Sequence, residues 1–345
     1  MKTARINITK FFTQPGLINV TITLVVAAIL WFLFGRETIN GTQQTAVNTL
    51  FMRHYVMWTL PVWASKILGF IAMIGIMGWG VFICEKLQII PVRSIMIFTI
   101  GLIMASSIGY IQPFDESYIA VVFFIFALKE LIQMYHFETQ ASAGFNIVLW
   151  LSLAALFEPE YIWLSLLFAL GMIIFRVISG RVFLSLILAV ITVVFVLGSI
   201  FWLFDSLDIL LDYIENAIVI NPLDITRLSK FDIVIYGFVI LLELFTFVNY
   251  YLNSNNYKLN TRLNFSLINA GFWVSLIWVI LFSSNFAQLI VIPGLFAIMC
   301  IALYFSTNQS KVANILTMAC TALVAPIMEC ASGATATMDL FMVWV

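Results

Sequence analysis

Charge is what this sequence has least of: of its 345 residues only 10% are Asp, Glu, Lys or Arg, against about 25% in an ordinary soluble domain. That shortage excludes a soluble globular fold, and it excludes a disordered chain, which needs low hydrophobicity and high net charge. A formal net charge of −1 supplies no field to hold nucleic acid, so no nucleic-acid partner is expected. The four cysteines, Cys84, Cys300, Cys320 and Cys330, are scattered and form no CxxC pair, so they read as small apolar packing residues. Of the two histidines, His136 has no second His or Cys at ligand spacing, and no metal site is expected there. A Walker loop, a dinucleotide fingerprint, a nucleophile elbow and a His-Glu-x-x-His helix are all missing, which excludes ATP-driven transport by this chain alone.

What the sequence does have is apolar residues, 63% of the total, in long unbroken runs instead of the alternation of a membrane β-barrel. A helix crossing a bilayer core of about 30 Å needs about 20 such residues. Runs and polar breaks predict eleven spans, near 17 to 34, 67 to 84, 95 to 111, 118 to 134, 145 to 157, 161 to 177, 182 to 203, 233 to 252, 266 to 283, 287 to 305 and 312 to 328. The fold class expected is therefore all-α: a polytopic transmembrane helical bundle of about eleven helices. With no internal repeat or linker, residues 1–345 read as a single transmembrane domain. The first run follows Lys2, Arg5 and Lys10 as a signal peptide would, yet no small-x-small cleavage site follows it, so it is read as a retained helix.

Sorting the charges by side gives the orientation. With residues 1–16 in the cytoplasm, eleven basic residues and three acids fall inside, five basic residues and thirteen acids fall outside, and Glu243 alone lies within a span. Lys and Arg bias sets topology, so the N-terminus is placed in the cytoplasm of a bacterium, in its inner membrane, with membrane lipids as the surrounding partner. The external segments are 35–66, 204–232 and the C-terminal 329–345. In the second of these, Leu207, Leu210, Leu211, Ile214 and Ile218 recur at helical spacing with Asp205, Asp208, Asp212 and Glu215 on other faces, which predicts an amphipathic helix on the membrane surface. Gly101, Ala105 and Gly109 form a small-residue stripe for close helix packing, and Gly75 with Gly78 forms a similar one. Trp58, Trp63, Trp150, Trp163, Trp202 and Trp344 read as interfacial anchors.

The external acids are the first candidate site: Glu37 after span 1, Asp115-Glu116 before span 4, and Glu158-Pro159-Glu160 between spans 5 and 6. Counted from residue 145, span 5 offers about 13 residues, or about 20 Å of a 30 Å slab, unless it begins back at Ala141. A recessed Glu-Pro-Glu turn would have to be buried in protein or line a wet cavity. The competing reading is that these acids only cap external turns and oppose inward translocation. Glu243 is the second candidate, an intramembrane ionisable group that either relays protons or a cation or hydrogen-bonds a neighbouring helix beside Thr246 and Asn249.

The acidic pair within Pro113-Phe114-Asp115-Glu116-Ser117, the stretch from Asp115 to Arg176, with Phe126-Ala127-Leu128-Lys129 and Leu156-Phe157-Glu158-Pro159, and the two long external loops together resemble the layout of the GT-C polytopic glycosyltransferases over roughly residues 10 to 235. The opening Phe11-Phe12-x-x-Pro15 also resembles bacterial multi-pass proteins of unknown function. The first resemblance implies transfer of a sugar from a polyprenyl-phosphate donor at the outer leaflet in envelope glycan assembly. It implies Glu37 as general base, Asp115 or Glu116 holding a divalent metal or the acceptor, and Arg36, Arg53 and His54, with Glu158 and Glu160, forming the substrate-binding set. The first external loop departs from that family in having no Asp at all, only Glu37. A transporter or lipid flippase using Glu243, and a non-enzymatic membrane partner of an envelope complex, are the alternative readings.

Overall fold

The computed structural model describes residues 16–34, 62–86, 95–106, 111–112, 114, 116–135, 140–220, 230–282 and 290–307. Among them there is no strand. Eleven α-helices follow in order: α1 (Leu17–Phe34), α2 (Val62–Lys86), α3 (Met96–Ser106), α4 (Glu116–Met134), α5 (Gln140–Phe157), α6 (Ser165–Phe175), α7 (Gly180–Leu203), α8 (Leu207–Ile218), α9 (Lys230–Leu252), α10 (Leu259–Leu281) and α11 (Val291–Thr307). Pro159–Leu164 is a 3-10 helix leading into α6. Five helices, α2, α4, α5, α7 and α10, are each long and apolar enough to cross a bilayer. The chain is thus an all-α membrane protein. Ten of the predicted spans coincide with helices, α8 is the predicted amphipathic helix, and the span at 312–328 lies outside the described residues.

One boundary changes an argument. α5 begins at Gln140, giving 18 residues and about 27 Å of length, so it is not a short helix. Its first turns carry Gln140, Ser142, Gly144 and Asn146, which a hydropathy count passes over. They are helical because they pack: Gly144 lies against Ser185, Val182 and Leu186 of α7.

Hydrogen bonds fix which helix ends lie together. The Trp31 indole N–H near the end of α1 donates to the Lys66 carbonyl in the first turns of α2, at 2.9 Å. Phe114, just before α4, donates its N–H to the Ser65 carbonyl at 3.2 Å and accepts from the Ser65 hydroxyl at 3.3 Å. Gly69 is obligatory beside this junction, because a Cβ there would run into the Gln112 carbonyl. The C-terminus of α5, α8 and the end of α10 share this end as well, through Tyr213 to the Ala155 carbonyl and Trp278 to the Glu160 carbonyl. Of the charged residues whose side chains are described, this end holds Lys66 with Glu158, Glu160, Asp205, Asp208, Asp212 and Glu215. The opposite end holds Lys86, Lys129, Arg176, Arg181, Lys258 and Arg262 with Glu85 and Glu130. The two ends are called acidic and basic below.

α11 runs through the middle of the bundle: from Ile290 to Phe305 every residue except Gly294 is buried. It packs on α3, α9 and α10. Its Phe296 meets Phe124 of α4 edge to face, with centroids 6.0 Å apart, and Phe124 also meets Tyr161 and Phe168. Close approaches go through glycine. A Cβ at Gly101 would press on Met77 and Ile298, and one at Gly171 on Leu131 and Leu267. Gly75 and Gly78 meet nothing within 4 Å, so the packing expected of them falls instead to Gly80, which lies beside Ile97, Leu295 and Met299. Trp150, expected as an interfacial anchor, sits mid-helix and stacks on Phe123 and Phe126.

Candidate functional site

The Glu158-Pro159-Glu160 turn stands at the acidic end. Pro159 ends α5 because it has no N–H to continue the ladder, and it holds the preceding Glu158 extended at φ −133°, ψ 103°. Pro159 then opens the 3-10 turn, where a missing N–H costs nothing, and Tyr161 donates its N–H back to the Glu158 carbonyl at 3.1 Å. Both acids are enclosed: Glu158 has 0% and Glu160 8% of its surface exposed. Two distant elements close over them. The Trp278 indole N–H donates to the Glu160 carbonyl at 2.9 Å while its ring meets Tyr161 edge to face at 5.4 Å. From the other side Tyr213 of α8 inserts, its hydroxyl donating to the Ala155 carbonyl, with Leu156, Leu197 and Phe201 packed round it. The burial expected of this turn is present, and its cause is the cover from α8 and α10.

Of the other sequence-derived candidates, Arg36, Glu37, Arg53, His54 and Asp115 lie outside the described residues. Glu116 is the first residue of α4. The elements that lead to them are nonetheless joined. α1, which runs toward Glu37, is tied to Lys66, and the residue before Asp115 is tied to Ser65. Phe114 also stacks on Tyr118 at 5.7 Å, and the Tyr118 hydroxyl donates to the Ile111 carbonyl, which holds the start of α4 to this junction. Among the described residues no group of three His, Cys, Asp or Glu is placed to hold a metal ion.

Glu243 faces inward from α9 with no exposed surface. Its Oε2 accepts from the Thr246 hydroxyl at 3.3 Å, Oε1 has no hydrogen-bond partner among the described residues, and the Cys300 thiol of α11 lies against the carboxyl. Leu241, Leu244 and Val248 on the other faces of α9 are open to the lipid side. Sequence reasoning missed Cys300 as a neighbour of Glu243, because the pairing is made only when α9 and α11 assemble. It also missed Asn264, whose side-chain amide is buried in α10 with neither polar atom hydrogen-bonded among the described residues. A polar residue within a predicted span was the one available signal.

The described residues define a multi-pass helical membrane protein with an acidic end and a fully buried glutamate, Glu243, within one of its helices. Comparison with protein-family models, with curated proteins and with solved structures finds no match in any of the three.

Proposed function

We propose that this chain is a bacterial inner-membrane glycosyltransferase similar in layout to the GT-C enzymes, working at its acidic end on a polyprenyl-phosphate-linked sugar in envelope glycan assembly. The observation supporting this reading is the junction at Ser65 and Lys66. It ties Trp31, six residues before Glu37 in the chain, and Phe114, the residue before Asp115, to adjacent residues of α2. In this reading Glu37 takes the proton of an acceptor hydroxyl as that oxygen bonds to the anomeric carbon. The bond from that carbon to the donor phosphate breaks, and the polyprenyl phosphate leaves with the electron pair. Arg36, Arg53 and His54 balance its charge. Asp115 and Glu116 position the acceptor, and a divalent metal, if the enzyme uses one, would be held by them. Glu158 and Glu160 complete the substrate-binding set in this reading. The test is single replacement, E37Q, D115N and E116Q, with surface-glycan assembly measured in cells. Loss of a general base should lower the rate by about 10²-fold or more. Full assembly in all three variants at normal protein levels would overturn the proposal.

A second reading rests on Glu243, whose fully buried position against Thr246 and Cys300 suits a proton- or cation-coupled transporter or lipid flippase. Proteoliposomes containing the E243Q protein would then lose pH-dependent uptake or lipid scrambling. Rates equal to those of the unaltered protein across the pH range would remove this reading.

A further inference from the structure

The helix α8 meets three environments at once, because at about 100° per residue its side chains fall into three sectors. Ile209, Leu210 and Tyr213 form the first, and Tyr213, 8% exposed, is the one buried side chain among those described from Leu207 to Glu215. Ile214, Leu207 and Leu211 form the second, apolar yet open, with Leu211 62% exposed. Asp208, Asp212 and Glu215 form the third and are all exposed. The first sector lies on protein, the second suits the lipid interface and the third suits water. α8 is therefore held to the bundle along a narrow strip, where Tyr213 and Leu210 meet Leu156, Leu197 and Phe201 and the helix lies against the Pro159–Leu164 turn. One hydrogen bond centres this strip, and the sequence dictates it. In a continuing helix the Ala155 carbonyl would accept from the N–H four residues on, but that residue is Pro159, which has none. The Tyr213 hydroxyl donates to the Ala155 carbonyl in its place.

We propose that α8 is a lid over the Glu158-Pro159-Glu160 turn, with Tyr213 as its latch. The proposal rests on the reading in which both acids belong to the substrate-binding set, because Glu158, with 0% of its surface exposed, touches no substrate while its cover is in place. Of the two elements that cover the turn, only α8 can lift. Trp278 belongs to a 23-residue span with buried residues from Thr261 to Val279, and it cannot leave without taking the core apart. α8, moving along the membrane surface, keeps its second sector in lipid and its acids in water. Its first sector and the residues it uncovers exchange one another for acyl chains, which are as apolar as leucine, so little burial is lost. The hydrogen bond from Tyr213 is then what keeps the lid shut, and a single bond of that kind is weak enough for local opening. Opening frees the Ala155 carbonyl, which Pro159 leaves without a ladder donor, next to two carboxyl groups. Carbonyl and carboxylate oxygens are hydrogen-bond acceptors, a set that suits a hydroxyl-bearing substrate.

The test uses the full chain in phospholipid nanodiscs, in a background free of the four native cysteines, with E158C reacted with a small membrane-impermeant maleimide. While Tyr213 is present the reaction should run about tenfold or more slower than that of E215C on the open face of α8. Adding Y213F, which keeps the ring and removes the donor, should speed it several-fold, and Y213A should speed it further. S275C, equally buried in α10, should keep its rate in all three backgrounds. E158C reacting as fast as E215C while Tyr213 is present would mean that no lid covers the turn. An E158C rate unmoved by either substitution would overturn the proposal, and so would a rise matched at S275C, which is general loosening. E160C gives the same readings where E158C does not fold. Labelling measures no sugar transfer, so a working lid in a protein whose E37Q, D115N and E116Q variants assemble glycan normally would keep the lid and remove the transferase.

Discussion

A Cβ on Gly271 would stand between 2.6 and 2.9 Å from three carbons of the Phe296 ring, which is fully buried and in contact with Phe124. The ring is fully buried, with Phe124 packed edge to face against it. G271A is therefore expected to cost about 1–3 kcal/mol through overpacking. G75A adds its methyl where nothing lies within 4 Å, and it should be neutral or stabilising by about 0.5–1 kcal/mol, since alanine is the better helix former. Thermal unfolding of both proteins in one detergent compares them directly. The contrast also marks a limit of the sequence. All of these glycines sit in apolar runs of similar composition, and only the partner helix decides which must be glycine.

Among the elements, α8 was the most legible, because its leucines and acids separate by helical period within 12 residues. Its role was not legible. The contact that gives it one joins Tyr213 to Ala155 across 58 positions, and the matching cover from Trp278 to Glu160 spans 118. Local pattern carries nothing about such pairings. The burial of Glu158 and Glu160 could be anticipated from a turn between two spans, but the short α5 that suggested it is in fact a full-length helix. The Y213F protein keeps the ring and loses the hydroxyl donor, at a cost of about 1 kcal/mol. Hydrogen exchange in residues 207–218 should rise while exchange in α10 stays unchanged. Equal protection in both proteins would mean that α8 is held by its apolar face alone.

For the molecule as a whole, the uneven charge of the two ends is the feature that the sequence conveyed best, because it needs only the order of helices and the identity of the loops. The described residues keep that separation. Single cysteines placed by E215C on α8 and K258C before α10, in a background free of the four native cysteines, test the sidedness it implies. A membrane-impermeant maleimide should label E215C in intact cells and K258C only after lysis. The reverse pattern would place the acidic end in the cytoplasm and would remove the external site along with it. What stayed illegible at this level is the polar interior. Glu243 and Cys300 belong to two helices far apart in the chain, and no count along it places them together.

The central place of α11 sets the order in which the protein can be made. A ribosome delivers the helices from the N-terminus, so α3, α9 and α10 are made before the helix they pack against. Until Val291–Thr307 arrives, Phe124, Gly101 and Gly271 lack the Phe296 and Ile298 side chains they pack against. A nascent chain arrested just after Leu281 would lack them too, and its lifetime before membrane proteolysis measures how much of the assembly depends on the helix that comes last among those described.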